Sequence, residues 1–268
     1  MGRRINKIRL FVNENEKSQI VAKDLELELE KYGFKIVNRN YDLAISIGGD
    51  GSFLRMVKET NFNDKIYYIG VNSGTLGFLQ EIDIKDTVDF VKRLNSDNYK
   101  IDDINIQETK IITENDIYNF YSLNEIVIRS KYFNALRIPV FVDNELLEDF
   151  KGDGLLISTS TGSTAYNMSF GGSIVYNTLN TLQITPIAPL NNKAYKSLLV
   201  PVIIPANRTI TLQTYKDNNS LFLMIDGVTK ELDKVIKIET KIGSKTIKCL
   251  RMNNYHFIKI VNEKILEK

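Results

Sequence analysis

Two stretches of this chain carry residue types that could do chemistry. The first is Ala44-Ile45-Ser46-Ile47-Gly48-Gly49-Asp50-Gly51-Ser52-Phe53-Leu54. An apolar run ends in Gly-Gly-Asp-Gly and a helical pattern follows, which reads as strand, tight loop and helix start. Glycines let a phosphate approach the backbone, and a helix N-terminus offers free N–H groups to it. Asp50 does not fit a plain anion loop, because a carboxylate repels phosphate. It fits either as the N-cap of the following helix or as a base that takes a proton from an attacking hydroxyl or a holder of metal.

The second stretch runs Lys151-Gly152-Asp153-Gly154, then the apolar Leu155-Leu156-Ile157, then Ser158 to Thr164, Ala165, Tyr166 and Asn167. Dense small hydroxyl residues let backbone and side-chain oxygens meet a polar ligand, and Tyr166 adds a flat face with a polar tip. A ligand-free Ser/Thr-rich turn has the same composition. Asn124-Glu125 is a third irregularity. Both are polar within the alternating run Leu123 to Ile128, so one must point inward and needs a partner there.

These motifs need elements to position them. Ile8 to Val12 reads as a strand. Glu14 to Tyr32, with Ile20, Val21, Leu25, Leu27 and Leu29, reads as a helix closed by Gly33. Strands follow at Phe34 to Val37 and before Gly48, then a helix from Phe53 to Glu59. A strand at Ile66 to Asn72 enters a second glycine loop, Asn72 to Phe78, and a helix spans Ile84 to Leu94. This alternation predicts a parallel, doubly wound α/β domain over residues 1–100, whose strand carboxyl ends carry both glycine loops. Helix signals nearly vanish after Lys100. Hairpin signals at Asp143-Asn144 and Asp226-Gly227, a strand with Pro201 and Pro205 that suits a sheet edge or a bulge, and a last hairpin around Gly243 predict an all-β sandwich over 101–250. Residues 251–268 are expected to pack back on the first domain.

Composition narrows the class. The chain has 268 residues, 43% hydrophobic and 25% charged, with a formal net charge of +2. That is an ordinary globular balance, with nothing that points to nucleic acid or a membrane surface. The basic start, Met1 to Ile5, lacks an apolar h-region, and no apolar run is long enough to span a bilayer. One cysteine, Cys249, reads as a small buried hydrophobe in a cytoplasmic protein. The single histidine, His256, reads as structural, so acid–base work falls to carboxylates.

Gly48-Gly49-Asp50-Gly51, Asn72 to Phe78, Asn124-Glu125 and Gly152 to Asn167 occur in the order and spacing of one family, and together resemble the NAD kinases of bacterial type. Gly-Gly-Asp-Gly alone is shared with diacylglycerol-type lipid kinases and phosphofructokinases; the later blocks are far more specific. The resemblance covers nearly the whole chain. It implies a Rossmann-like α/β N-terminal domain, an all-β C-terminal domain, and phosphorylation of the 2′-hydroxyl of the adenosine ribose of NAD to give NADP. ATP or polyphosphate would be the donor, with Mg²⁺ or another divalent metal, in a homodimer or homotetramer. By the same resemblance Asp50 is the general base. Asn124 and Glu125 hold the adenosine and its ribose. Asp153 lies near the nicotinamide end with Lys151 before it, and Thr161, Thr164, Ala165, Tyr166 and Ser169 line the dinucleotide pocket. Phe78 stacks near adenine, and Gly51, Asn72, Asn167 and Ala188 join the substrate-binding set. Arg55 either reaches phosphate or is a surface residue. Ser52 stands for the family's usual Thr, and Ser160 for its usual Pro, which predicts a less rigid loop. A lipid or sugar kinase, and a dinucleotide sensor without catalysis, are the alternatives.

Overall fold

The computed structural model describes residues 4–74, 77–132, 134–252 and 256–266. Thr75 and Leu76 of the second glycine loop, Met1 to Arg3 of the basic start, and Glu267-Lys268 of the final segment lie outside the described residues. The elements in chain order are β1 (Lys7–Val12), α1 (Glu16–Lys31), β2 (Lys35–Ile36), β3 (Leu43–Gly48), α2 (Asp50–Glu59), β4 (Tyr67–Asn72), β5 (Ile82–Asp83) and α3 (Thr87–Asn95). Then come β6 (Tyr99–Thr113), β7 (Ile117–Ser122), β8 (Glu125–Ser130), β9 (Leu136–Val142), β10 (Glu145–Gly152), β11 (Gly154–Thr159) and the one-turn α4 (Tyr166–Ser169). The chain ends with β12 (Thr181–Ile187), β13 (Val202–Pro205), β14 (Ile210–Gln213), β15 (Leu221–Ile225), β16 (Val228–Leu232), β17 (Val235–Met252) and α5 (Phe257–Val261). Two compact units result: Met1–Ile104 with Thr246–Lys268, and Asn105–Lys245.

In the first unit β1, β2, β3 and β4 pair in parallel, in the order β4-β3-β1-β2. β5 and the end of β17 also pair with β4 in parallel. The winding reverses between β1 and β3, and ligands of such sheets bind outside the strand carboxyl ends at that point. β3 and β4 are buried along their whole length. Asn15 caps α1 by accepting the amide of Ser18 at 2.8 Å, and Val21, Leu25 and Leu29 form its buried stripe. Ile20 and Leu27, which the sequence pattern groups with them, stand 54% and 60% exposed. They fall off the i, i+4, i+8 line that meets the sheet. α2 starts at Asp50, three residues before the sequence boundary, and α3 is preceded by a 3₁₀ turn at Ile84–Asp86.

The second unit is built from strands. One antiparallel sheet runs β10-β9-β14-β17, with β6 pairing β17 and β7. The other runs β13-β12-β11-β8-β15-β16. Alternate residues of both sheets, among them Ile126, Ile128, Leu136, Ile138, Val140, Leu155, Ile157, Leu212 and Leu223, form a single apolar core. β13, the strand with the prolines, is an edge strand as expected. Asp143 and Asn144 turn with φ of 49° and 74°, and Asp226-Gly227 with 45° and 77°, both suited to two-residue hairpins. No hairpin forms at Gly243. β17 passes straight through it for 18 residues. A Cβ on Gly243 would lie 2.0 Å from the Glu108 carboxyl carbon. This glycine marks a close approach of β6, the other common reason for glycine inside a strand.

Replacing Ile157, fully buried in this core, with alanine should cost about 2–5 kcal/mol in unfolding free energy, read from chemical denaturation.

Candidate active site

In the first unit the site residues gather where β3 and β4 end. Gly48 and Asn72 stand in register on these strands. The N-cap of α2 is Gly49, and Asp50 is the first helical residue. Its carboxylate does not cap its own helix. Oδ2 accepts the Phe78 amide at 2.8 Å and Oδ1 the Leu79 amide at 2.9 Å. Burial raises the Asp50 pKa, and the two amides and the charge of Lys264 pull against that rise. Gln80, buried in the same loop, donates from Nε2 to the Gly49 carbonyl at 2.6 Å and accepts from Ser46 Oγ at 3.2 Å. Three bonds from Phe78, Leu79 and Gln80 thus grip Gly49 and Asp50. Asn72 is buried, and its Oδ1 accepts the Gly74 amide at 2.9 Å. Gly51 is exposed and Phe78 half-exposed. Arg55 is exposed, 4.0 Å from Glu59 on its own helix.

In the second unit the centre is Asn124-Glu125. Both side chains are buried, at 5% and 4% exposure, so the inward-facing residue expected from the pattern is in fact a pair. Among the described residues Asn124 Oδ1 and Glu125 Oε2 have no hydrogen-bond partner. A buried polar atom left unpaired costs roughly 1–3 kcal/mol, a cost that a ligand hydroxyl or amine can relieve. Burial, and then the charge of Asp226, push the Glu125 pKa up to about 8. The backbone of the pair is fixed from outside. Asp226 accepts the amides of Leu123, Asn124 and Glu125 at 2.7, 2.8 and 3.2 Å. Thr159 donates its amide to Asn124 O at 2.8 Å and its hydroxyl to Leu123 O at 2.7 Å. Gly162 packs flat against this backbone; a Cβ there would lie 2.2 Å from Asn124 O.

The other second-unit residues divide by exposure. Thr161 and Ala165 are half-exposed and Tyr166 and Ser169 exposed, with the Tyr166 ring edge-on to Phe170 at 4.7 Å. Thr164 is buried at 8%. Asn167 is fully buried and its carboxamide is committed internally, to Ser163 O at 3.3 Å and the Thr185 hydroxyl at 2.6 Å. Asp153 is exposed, beside Ala188, which is held at φ 43°. That left-handed conformation costs on the order of 1 kcal/mol for a residue with a Cβ. The Lys151 ammonium sits 3.6 Å from the Tyr195 ring centroid and lowers the Tyr195 pKa. Ser160, expected to loosen its loop, bonds Leu179 O and the Thr181 hydroxyl. Asp226 and Gln80 escape sequence reading as site residues. Asp226 shows only as a turn former, because the amides it binds lie about a hundred positions away. His256 is exposed at the start of α5, and Cys249 is buried with its pKa pushed up to about 12. Among the described residues no three His, Cys, Asp or Glu side chains gather as a metal cage, and no helix is long and apolar enough to cross a membrane.

The ATP-NAD kinase N-terminal domain profile matches residues 6–99 and the ATP-NAD kinase C-terminal domain profile residues 123–249. An NAD kinase of Finegoldia magna is 39% identical over 237 residues, covering 85% of this chain and 86% of that protein. The chain belongs to the NAD kinase family. It is a kinase that phosphorylates NAD to NADP. NAD kinase 2 of Bacillus subtilis is 32% identical over 251 residues, covering 92% of this chain and 93% of that one. Among solved structures, yeast NADH kinase complexed with NADH aligns over 97% of this chain and 87% of its own, at a TM-score of 0.86 and 20% identity. An NAD kinase from Archaeoglobus fulgidus in complex with ATP aligns over 98% and 99%, at a TM-score of 0.74 and 19% identity. These two likenesses show the fold, α/β first and β-rich second.

Two outcomes test this geometry. Because the folded protein holds the Glu125 proton up to about pH 8, it binds more protons than the unfolded chain between about pH 4.5 and 8. Stability from this group therefore falls as pH rises through that window, and Glu125→Gln should flatten the corresponding decline in melting temperature. Gly162→Ala should force the Asn124 backbone aside and weaken NAD binding at least about tenfold, the scale of losing one charged hydrogen bond, by calorimetry.

Proposed function

We propose that the chain transfers the terminal phosphoryl group of ATP to the 2′-hydroxyl of the adenosine ribose of NAD, with Asp50 as general base. The observation that carries this reading is the Asp50 carboxylate itself. It is not spent on capping α2, it is oriented by two amides, and burial raises its proton affinity. A base of raised pKa at a helix N-terminus suits an alcohol acceptor meeting a phosphate. In the step, the hydroxyl proton passes to a carboxylate oxygen of Asp50 and the freed oxygen bonds the γ-phosphorus. The bond from that phosphorus to the bridging oxygen breaks, and ADP leaves. The catalysis is chiefly positioning.

Asn124 and Glu125 hold ribose and adenosine through the atoms the protein leaves unpaired. Thr161, Thr164, Ala165, Tyr166 and Ser169 line the dinucleotide pocket, with Asp153, Lys151 and Ala188 toward the nicotinamide and Phe78 near adenine. Gly51 and Asn72 shape the phosphate loop. Asn167 belongs to the same pocket as its internal brace, and Arg55, exposed and 4.0 Å from Glu59, is available to phosphate. Mg²⁺ or another divalent metal comes with the ATP phosphates, as it commonly does, and neutralises their charge. Polyphosphate is the alternative donor. The enzyme works in the cytoplasm as a homodimer or homotetramer, a reading supported by the exposed apolar side chains Leu199, Val200 and Ile203 at the β13 edge. Neither nucleic acid nor a membrane is a partner.

Asp50→Asn should lower kcat by about 10²–10⁴-fold, the usual contribution of a general base, while NAD affinity by calorimetry stays within about threefold of wild type. Near-normal turnover in that variant would remove Asp50 from its role.

A further inference from the structure

The Asp226-Gly227 turn reads at first as a plain hairpin, yet its carboxylate is committed elsewhere. Ile225 pairs with Ile126 across β15 and β8, so the turn ends beside the start of β8. Asp226 sits in this turn at φ 45°. There it collects three consecutive amides, from Leu123, Asn124 and Glu125. The carbonyls on the other side of the same peptides are taken by Thr159. The two peptide groups that carry Asn124 and Glu125 are therefore fixed at both ends, while their side-chain oxygens stay unpaired. A carboxylate is an unusual choice for the amide side. A hydroxyl or a carbonyl could bond amides too, but would not place a negative charge beside a buried acid.

We propose that Asp226 is a positioning residue for the dinucleotide: its carboxylate sets the Asn124–Glu125 pair through three backbone amides and places a second charge beside Glu125 where the pair meets the ligand. This rests on the reading that the pair contacts NAD. Burial first, and the charge of Asp226 second, favour the proton on Glu125. Across the ladder from Glu125 stands the neutral Ser158 of β11, and its neighbours Ile126 and Ile225 are apolar. A protonated Glu125 has a hydrogen to give as well as lone pairs to receive, so it can serve both partners of a ribose hydroxyl. Ionised, it would be an acceptor alone, buried beside a second negative charge.

The test is NAD binding by calorimetry from pH 6 to 9.5, on wild type, Asp226→Asn, Glu125→Gln and the double variant. Wild-type affinity should fall with a midpoint near pH 8, where Glu125 ionises. Asp226→Asn keeps the shape of the turn and removes the charge. It should weaken NAD binding at pH 7 about tenfold, raise KM with kcat within about twofold, and move the midpoint to lower pH by about one unit, because the neighbouring charge no longer favours the proton. Glu125→Gln should abolish the midpoint, and Asp226→Asn should not restore one. Wild-type affinity and midpoint in Asp226→Asn would overturn the proposal. So would weaker binding with an unmoved midpoint, the mark of a merely structural contact. ATP affinity and the melting curve of each variant report whether it is folded, and Asp226→Ser serves if the amide variant is not. If the wild type binds NAD with this pH profile but yields no NADP, the kinase reading fails while the positioning role stands.

Discussion

A carboxylate that gathers backbone amides from a distant segment is the interaction on which the polar loops of each unit depend. Asp50 takes the amides of Phe78 and Leu79, and Asp226 those of Leu123, Asn124 and Glu125. Charge-assisted bonds of this kind are about twice as strong as neutral ones, and each ties a loop to an element that is already rigid. The glycine loop is thereby held to α2, and the polar pair to the β15–β16 turn. Without these bonds each loop would keep fewer ties to the rigid elements beside it, and its polar groups would be held less closely in place.

The surrounding fold makes such bonds possible. In the first unit β3 and β4 are buried throughout, so their carboxyl ends are fixed points from which the glycine loops project. In the second, two sheets close on an apolar core. That core leaves the ends of β8 and β11 as the place where polar atoms collect. Asn124, Glu125, Ser158, Thr159 and Thr164 are buried there together with Gly162, whose missing side chain lets the 160s turn lie against the Asn124 backbone. Among the described residues the oxygens of Asn124 and Glu125 are two of three buried side-chain atoms without a partner, Asp149 Oδ1 being the third, and native proteins keep few such atoms without a reason.

Much of this was legible in the sequence because it is local. The switch from alternating strand and helix to strands alone, the Asp143-Asn144 and Asp226-Gly227 turns, the proline-marked strand and an inward polar residue at Asn124-Glu125 all follow from neighbouring residues. What was not legible depends on residues far away in the chain. Gly243 looks like a turn until Glu108 is seen against it. Ile20 and Leu27 look like core until the sheet picks out the stripe through Val21, Leu25 and Leu29. Asp50 could be an N-cap by position; its engagement with Phe78 and Leu79, twenty-eight and twenty-nine residues on, is what separates the two readings. Asn167 sits in a motif that suggests a ligand contact, but Thr185 and Ser163 have taken its amide.

The most direct test of the central claim is where the phosphate lands. The purified chain would be incubated with NAD, ATP and Mg²⁺, and the dinucleotide product examined by phosphorus and proton NMR. The account predicts a single new phosphomonoester on the 2′-oxygen of the adenosine ribose, with ADP formed in equal amount. Phosphate on the 3′-oxygen or on the nicotinamide ribose, or ATP hydrolysis with NAD unchanged, would contradict it.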